Sequence, residues 1–146
     1  MTAVEDPRGF SSAKELRQIL DEVMSEFDGD ADSSSRMRAL TVPLRFEFTV
    51  LRLVLNIAVT EPGGHLRWDF KRRSKTEPKL RLAMSSEVAN RLFQGRENPA
   101  IAIARGRLRP KVRDHAAALR FFPAARPMFA RYRELVAEKY PHLTID

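Results

Sequence analysis

The chain of 146 residues has no cysteine and only three histidines. Without cysteine it can form no disulfide, no thiolate metal site and no thiolate nucleophile. His65, His115 and His142 stand far apart, and none has a second histidine or a carboxylate at the spacing that zinc sites use. We therefore expect no metal and no cofactor.

Long apolar segments are also missing. The longest apolar stretch, residues 46–59, is interrupted by Glu47, Arg52 and Asn56 and is too short to span a membrane. The first ten residues lack the apolar core of an export signal. These two absences lead us to expect a cytoplasmic protein.

Catalytic motifs are absent from the sequence. No serine lies in the G-x-S-x-G context of a nucleophile elbow. The glycines occur at isolated turns and not in a phosphate-binding loop. An enzyme is therefore the hypothesis that the residues favour least, and we expect a non-catalytic protein.

The chain is basic: it has 26 lysines and arginines and 19 acidic residues, which give a net charge of +7. Such a surface favours anionic partners such as nucleic acid, lipid headgroups or a phosphate-bearing ligand, although a solvated surface without a role is the alternative. One basic cluster spans residues 71–75. We expect no nucleic acid there, because the neighbouring Trp68 and Phe70 alternate inward and cannot stack on bases. Transient contact with an anionic membrane surface or acyl-CoA stays open.

Helical patterns occupy the two ends of the chain. Ser12 and Glu15 form a capping box ahead of an apolar stripe with helical spacing that reaches Phe27. Residues 30–35 are polar and predict a loop. Near the other end the pattern predicts a helix over 115–122 and a last helix over 128–139, because Pro123 and Pro127 are expected to break the chain between them.

Alternation of apolar and polar residues predicts strands in the middle of the chain. The phase of this alternation reverses between Thr49 and Leu51, so we expect a turn or a bulge there. A fifth strand near residues 107–112 contains Pro110, which places it at a sheet edge. Strands that cluster ahead of helices predict an α+β fold. We expect one domain over residues 11–140, with tails at 1–10 and 141–146.

Residues 80–114, LRLAMSSEVANRLFQGRENPAIAIARGRLRPKVRD, carry a specific signature. An alternating strand ends in Ser85-Ser86, a short helix ends at Gly95, Asn98-Pro99 starts the next helix, and Gly106-Arg107-Leu108 opens a strand. This order resembles the core of the sterol-carrier-protein-2 family. Two positions depart from the family pattern, Pro110 and Arg113, so the last strand is expected to be short.

The resemblance implies a mixed, mostly antiparallel five-stranded sheet covered by helices, with an apolar tunnel or pocket between them. Family members are lipid-binding carriers without catalytic residues; their ligands are fatty acyl chains, acyl-CoA, phospholipids or sterol-like lipids. The expected apolar pocket comprises Phe46, Phe48, Leu55, Ile57, Trp68, Phe70, Met84, Leu92, Phe93, Ile101, Ile103, Phe121, Phe122 and Phe129. Arg73 and Arg96 are candidates to bind the anionic headgroup of such a ligand. The alternative is an interaction module with a filled core, which forms a homodimer or docks onto a partner enzyme.

Overall fold

The computed structural model describes residues 12–40, 43–59, 61, 63–73 and 76–145. The predicted N-terminal tail, 1–10, lies outside these residues. In chain order the elements are α1 (Ala13–Gly29), α2 (Ala31–Leu40), β1 (Leu44–Phe48), β2 (Leu53–Val59), β3 (Leu66–Asp69), β4 (Leu80–Met84), α3 (Ser86–Phe93), α4 (Pro99–Ala104), β5 (Arg109–Val112), α5 (His115–Lys139) and a 3-10 turn (Pro141–Leu143). No helix in the described ranges is both long enough and apolar enough to cross a bilayer.

The strands form one sheet in the order β3-β2-β1-β4-β5. Strands β1 and β4 run parallel, and the other neighbours are antiparallel. The predicted mixed, mostly antiparallel sheet is thereby confirmed. Strand β5 lies at an edge, as Pro110 predicted, and the phase reversal is a turn in which Arg52 has a φ of 54°.

The two faces of the sheet differ in chemistry. On the inner face the buried side chains of Leu44, Phe46 and Phe48 point towards the helices. Because successive side chains of a strand alternate between faces, the residues between them point outward. Arg45, Arg81 and Lys111 are register neighbours in one row of this outer face.

Helix α2 lies where the sequence predicted a polar loop, so that prediction was wrong. Asp30 caps the helix by accepting a hydrogen bond from the Ser33 amide at 3.2 Å. The Ser34 hydroxyl donates to the Asp30 carbonyl at 2.9 Å, which satisfies a side chain that would otherwise compete with the helix. Met37 and Leu40 are buried, and this burial offsets the modest helix propensity of the serines.

Helix α5 is continuous from His115 to Lys139, so the predicted break at Pro123 and Pro127 was wrong. A proline inside a helix removes one hydrogen bond and costs about 3 kcal/mol. The helix nevertheless buries side chains over most of its length, and burial of each large apolar side chain contributes about 1.5–3 kcal/mol. Its buried residues are Phe121, Ala124, Ala125, Met128, Tyr132, Leu135 and Val136.

The last described residues pack against α3. Leu143 is fully buried, and its carbonyl accepts hydrogen bonds from Asn90 Nδ2 at 2.9 Å and Gln94 Nε2 at 2.8 Å. The Tyr132 hydroxyl donates to Asn90 Oδ1 at 2.7 Å, and the Ile145 amide donates to Gln94 Oε1. Packed structure therefore extends past residue 140, where the C-terminal tail was expected.

Candidate ligand groove between α3, α4 and α5

Most of the predicted pocket residues lie between the sheet and the helices, where they contact one another. The Phe46 ring is 5.7 Å from the rings of Phe93 and Phe121, measured between centroids. Phe93 also stacks on Phe129 at 5.0 Å and meets Tyr132 edge-on at 5.1 Å. These rings fill much of the space between the layers. The other predicted residues buried there are Phe48, Leu55, Ile57, Met84 and Leu92.

Two predicted residues lie at the far edge of the sheet. Trp68 and Phe70, on and just after edge strand β3, are half-buried against α1. The Trp68 indole N–H donates to Asp21 Oδ1 at 2.9 Å, and the Arg17 guanidinium lies 4.9 Å from the centre of the Phe70 ring. Both side chains therefore have polar or charged partners on α1, and both also line an open hollow beside that helix.

Two further predicted residues are not between the layers. Ile101 and Ile103 are 49% and 39% exposed, contrary to the expectation that they line the pocket. Helix α4 has only six residues and buries Ala102. Successive helical residues are rotated by about 100°, so the two isoleucines flank the buried side instead of facing inward.

A groove of about 640 Å³ opens to solvent between α3, α4 and α5. It brings together four predicted site residues: Leu92, Phe122, Phe129 and Arg96. Phe122 and Phe129 are half-buried, and their rings contact Phe121 and Phe93 of the inner cluster at 5.0 Å. The groove is therefore an apolar surface continuous with the core. The remaining lining residues are Gly95, Glu97, Asn98, Pro99 and Arg126.

Local sequence signals position the rim of this groove. Gly95 ends α3 with a φ of +76°, a left-handed conformation that glycine adopts without strain. The Arg96 amide then donates to the Arg91 carbonyl at 2.8 Å, which turns the chain back over the helix end. Asn98 caps α4 through two backbone amides, and Pro99 follows at the first turn, as the sequence predicted.

The charges around the groove leave a positive rim. Glu97 has a side chain only 7% exposed, and it is held by Arg91 at 3.2 Å and by a close bond from Arg107. Its charge is thus already neutralised. Arg96 and Arg126 form no ion pair within the described part of the chain, so their positive charges face the groove uncompensated.

Arg126 was missed by the sequence interpretation. A helix that ended before Pro123 left this residue in a connection with no defined neighbours. In one continuous helix, Phe122, Arg126 and Phe129 follow at intervals of four and three residues, which places them on one face. That spacing was the available signal.

The second predicted headgroup residue lies elsewhere. The backbone carbonyl of the neighbouring Arg72 accepts a hydrogen bond from Arg45, whose side chain is on the outer face of the sheet. The connection that contains Arg73 therefore crosses the outer face, whereas Arg96 lies on the helical side. The two arginines are not brought together.

Comparisons with known proteins identify the fold. No family model matches the chain, and no curated protein matches it. Among solved structures, the sterol carrier protein domain 2 of Helicoverpa armigera has a TM-score of 0.61 at 14% identity, with 88% of this chain and 96% of that chain covered. A crystal structure of sterol carrier protein 2 has a TM-score of 0.59 at 16% identity, with coverage of 80% and 95%.

A larger protein contains a similar domain. The sec-alkylsulfatase Pisa1 from Pseudomonas sp. has a TM-score of 0.51 at 14% identity over 65% of this chain, and the match spans only 14% of the sulfatase. Since the matches to the sterol carrier structures cover nearly all of those chains, this chain has the sterol-carrier-protein-2-like fold. The resemblance inferred from residues 80–114 is thereby confirmed at the level of the fold.

Proposed function

We propose that this protein binds an apolar chain with an anionic head, such as a fatty acid or an acyl-CoA, and carries or presents it without chemical change. The ligand would occupy the groove between α3, α4 and α5. One observation supports this proposal above the others: two half-buried aromatic rings, Phe122 and Phe129, share an open groove with two uncompensated cations, Arg96 and Arg126. Similar structures named as sterol carrier proteins add support from the fold.

The apolar part of the ligand would cover the exposed edges of Phe122 and Phe129. Removal of apolar surface from water contributes about 25 cal/mol per Å², so each area of about 40 Å² of apolar surface that is covered would contribute about 1 kcal/mol before the costs of association. The rings behind Phe129 belong to the close-packed core. A longer chain would therefore need small movements of α5 relative to α3 to insert further.

The anionic head would meet Arg96 and Arg126 at the rim. A guanidinium group donates paired hydrogen bonds to a carboxylate or a phosphate, which gives both affinity and orientation. The groove offers no nucleophile, and its one carboxylate, Glu97, is held by two arginines. Binding and transfer, rather than catalysis, is the function that these side chains support.

The test is a binding assay with the wild-type protein and matched probes. A fluorescent fatty acid would be displaced by oleate, oleoyl-CoA, a phospholipid and a sterol, to identify the ligand class. In the variant Arg96→Gln/Arg126→Gln we expect affinity for oleate to fall about tenfold or more, since each hydrogen bond to a charged group contributes about 1.5–3 kcal/mol. Affinity for oleyl alcohol, which has no charge, should change little.

The control is Arg36→Gln/Arg120→Gln, which removes two cations from the separate groove between α2 and α5. This variant should bind oleate like the wild type. The proposal would be contradicted if the wild-type protein bound none of the probes. Equal losses in the two double variants would mean that net charge, and not the groove, determines binding.

A second candidate function is an interaction module, and a different surface favours it. Leu119 of α5 is 82% exposed and lines an apolar hollow of about 340 Å³ together with Leu40, Pro123 and Ala124. A filled core with an exposed apolar patch is typical of docking surfaces. Light scattering across a concentration series tests it: a dimer that Leu119→Glu dissociates would support this function, and a monomer throughout would argue against self-association.

A further inference from the structure

The outer face of strands β4 and β5 carries four cations, which we call the basic face: Lys79, Arg81, Arg109 and Lys111. The alternation of β4 buries Leu80 and Leu82 on the inner side, so Lys79 and Arg81 point outward. On β5, Arg109 pairs with Ala83 and Lys111 pairs with Arg81. Three of the four cations are exposed, and Arg81 is partly exposed.

The middle of the outer face is covered, whereas Arg67 and Asp69 at the β3 edge and most of the basic face are exposed. The connection from β3 to β4 returns across β2 and β1: Asn56 Nδ2 donates to the Lys71 carbonyl at 2.8 Å, and Arg45 donates to the Arg72 carbonyl at 2.9 Å. Arg45 is buried beneath it. Lys71, Arg72 and Arg73 on this connection are exposed and add positive charge to the outer side of the sheet.

The four charges are close together and uncompensated. Adjacent strands are about 4.8 Å apart and alternate residues about 6.6 Å, so the cations share a small area. None of them forms an ion pair with a described residue; the carboxylates of Glu47 and Glu77 lie 3.6 Å from Arg45 and 2.6 Å from Arg113 instead. Repulsion among like charges destabilises such a cluster in the free protein, and an anionic partner would relieve it.

The shape and composition of this face distinguish between anionic partners. It presents no aromatic side chain on which the bases of single-stranded nucleic acid could stack. It is the broad face of a sheet, whereas the major groove of DNA admits a helix or a two-stranded ribbon. A bilayer needs neither feature, since its mobile headgroups can adjust to a broad cationic surface.

We propose that the basic face docks the protein onto bilayers that contain anionic lipids. The docking surface and the candidate groove lie on opposite sides of the sheet, so the groove would stay open while the protein is bound. The inference rests on the basic face alone and does not require that the groove hold a lipid.

The test is cosedimentation with vesicles made of equal parts phosphatidylglycerol and phosphatidylcholine at physiological ionic strength. Each cation near an acidic bilayer contributes about 1 kcal/mol, a factor of about five. We expect Arg109→Gln/Lys111→Gln to lower the partition coefficient about 25-fold. Pure phosphatidylcholine should bind little of the wild-type protein, and high salt should release it from the mixed vesicles.

The matched control, Arg36→Gln/Arg120→Gln, has the same net charge but alters helices α2 and α5, and it should retain binding within about twofold. Circular dichroism would verify that both variants are folded. The proposal would be overturned if both variants lost affinity for the mixed vesicles equally or if neither lost affinity. Strong binding of the wild-type protein to pure phosphatidylcholine vesicles would also overturn it. It would also be overturned if the β5 variant lost affinity for an oligonucleotide while vesicle binding was unchanged.

Discussion

The two faces of the sheet differ in composition and in exposure to solvent. The inner face is apolar, and the helices and their aromatic rings, such as Phe93 and Phe121, cover it completely enough to bury Phe46 and Phe48. The outer face is polar; one connection covers its middle, and the part formed by β4 and β5 is basic and mostly exposed. The difference teaches that the sheet separates two surfaces with different chemistry. On the helical side, the groove between α3, α4 and α5 lies at the margin of the helices.

The largest expected effect is on the inner face. Phe46→Ala would remove a buried ring that contacts Phe48, Phe93 and Phe121, and should lower the free energy of unfolding by about 3–5 kcal/mol. Urea denaturation measures this change. Phe70→Ala is the matched control at the sheet edge. Removal of this half-buried ring should lower the free energy of unfolding by no more than about 2 kcal/mol. Similar losses in both variants would contradict the proposed difference.

A smaller effect is expected from the polar end of the helical layer. Asn90→Ala would leave the Tyr132 hydroxyl without its acceptor inside the protein and remove one bond to the Leu143 carbonyl. A buried group left unsatisfied costs about 1–3 kcal/mol, so we expect a loss near 2 kcal/mol and faster amide exchange at residues 143–145. Asn98→Ala, which removes only an exposed helix cap, should cost about 1 kcal/mol.

A pH effect of intermediate size follows from the burial of Tyr132. Burial raises the pKa of this phenol well above its ordinary value, and the charge of Glu15 adds to the rise. The unfolded chain loses the proton near pH 10 while the folded chain keeps it, so stability present below pH 10 is lost as pH rises above it. The free energy of unfolding should fall by at most about 1.4 kcal/mol per pH unit in this range. Urea titrations from pH 9 to about pH 11 should show a flatter profile for Tyr132→Phe than for the wild type.

The smallest effect is expected on the open half of the outer face. Arg109→Gln/Lys111→Gln should change the free energy of unfolding by less than about 0.5 kcal/mol, because exposed side chains without partners contribute little to stability. A small gain is consistent with relief of repulsion among the cations. Thermal unfolding at low ionic strength measures it. A loss above about 2 kcal/mol would show that these residues support the fold, and would remove the contrast between the faces.

Most of the sheet could be predicted because its signals are local. The alternation of Leu44, Phe46 and Phe48 depends only on the two-residue period of a strand. The caps at Ser12 and Asn98 are equally local, since each side chain accepts from an amide two or three residues further along. Each of these predictions is confirmed by the structure.

The errors occurred where packing overrides local preference. Residues 30–35 contain three serines and two aspartates and have little helix preference, yet the burial of Met37 and Leu40 stabilises α2. Pro123 and Pro127 predict a break, yet the packing of α5 maintains one helix. That error also concealed Arg126, because its place beside Phe122 and Phe129 requires the unbroken helix.

The sequence by itself determined the alternation of the strands, the positions of most turns and caps, and the signature of residues 80–114. These depend on neighbours within a few residues of one another, so elementary propensities suffice. Only the tertiary structure decided where space remains unfilled and which charges remain unpaired. Ring contacts and ion pairs form between elements distant in sequence, such as Phe93 with Phe129 or Glu22 with Lys139. For that reason the groove at α5 and the basic face became visible only in the folded chain.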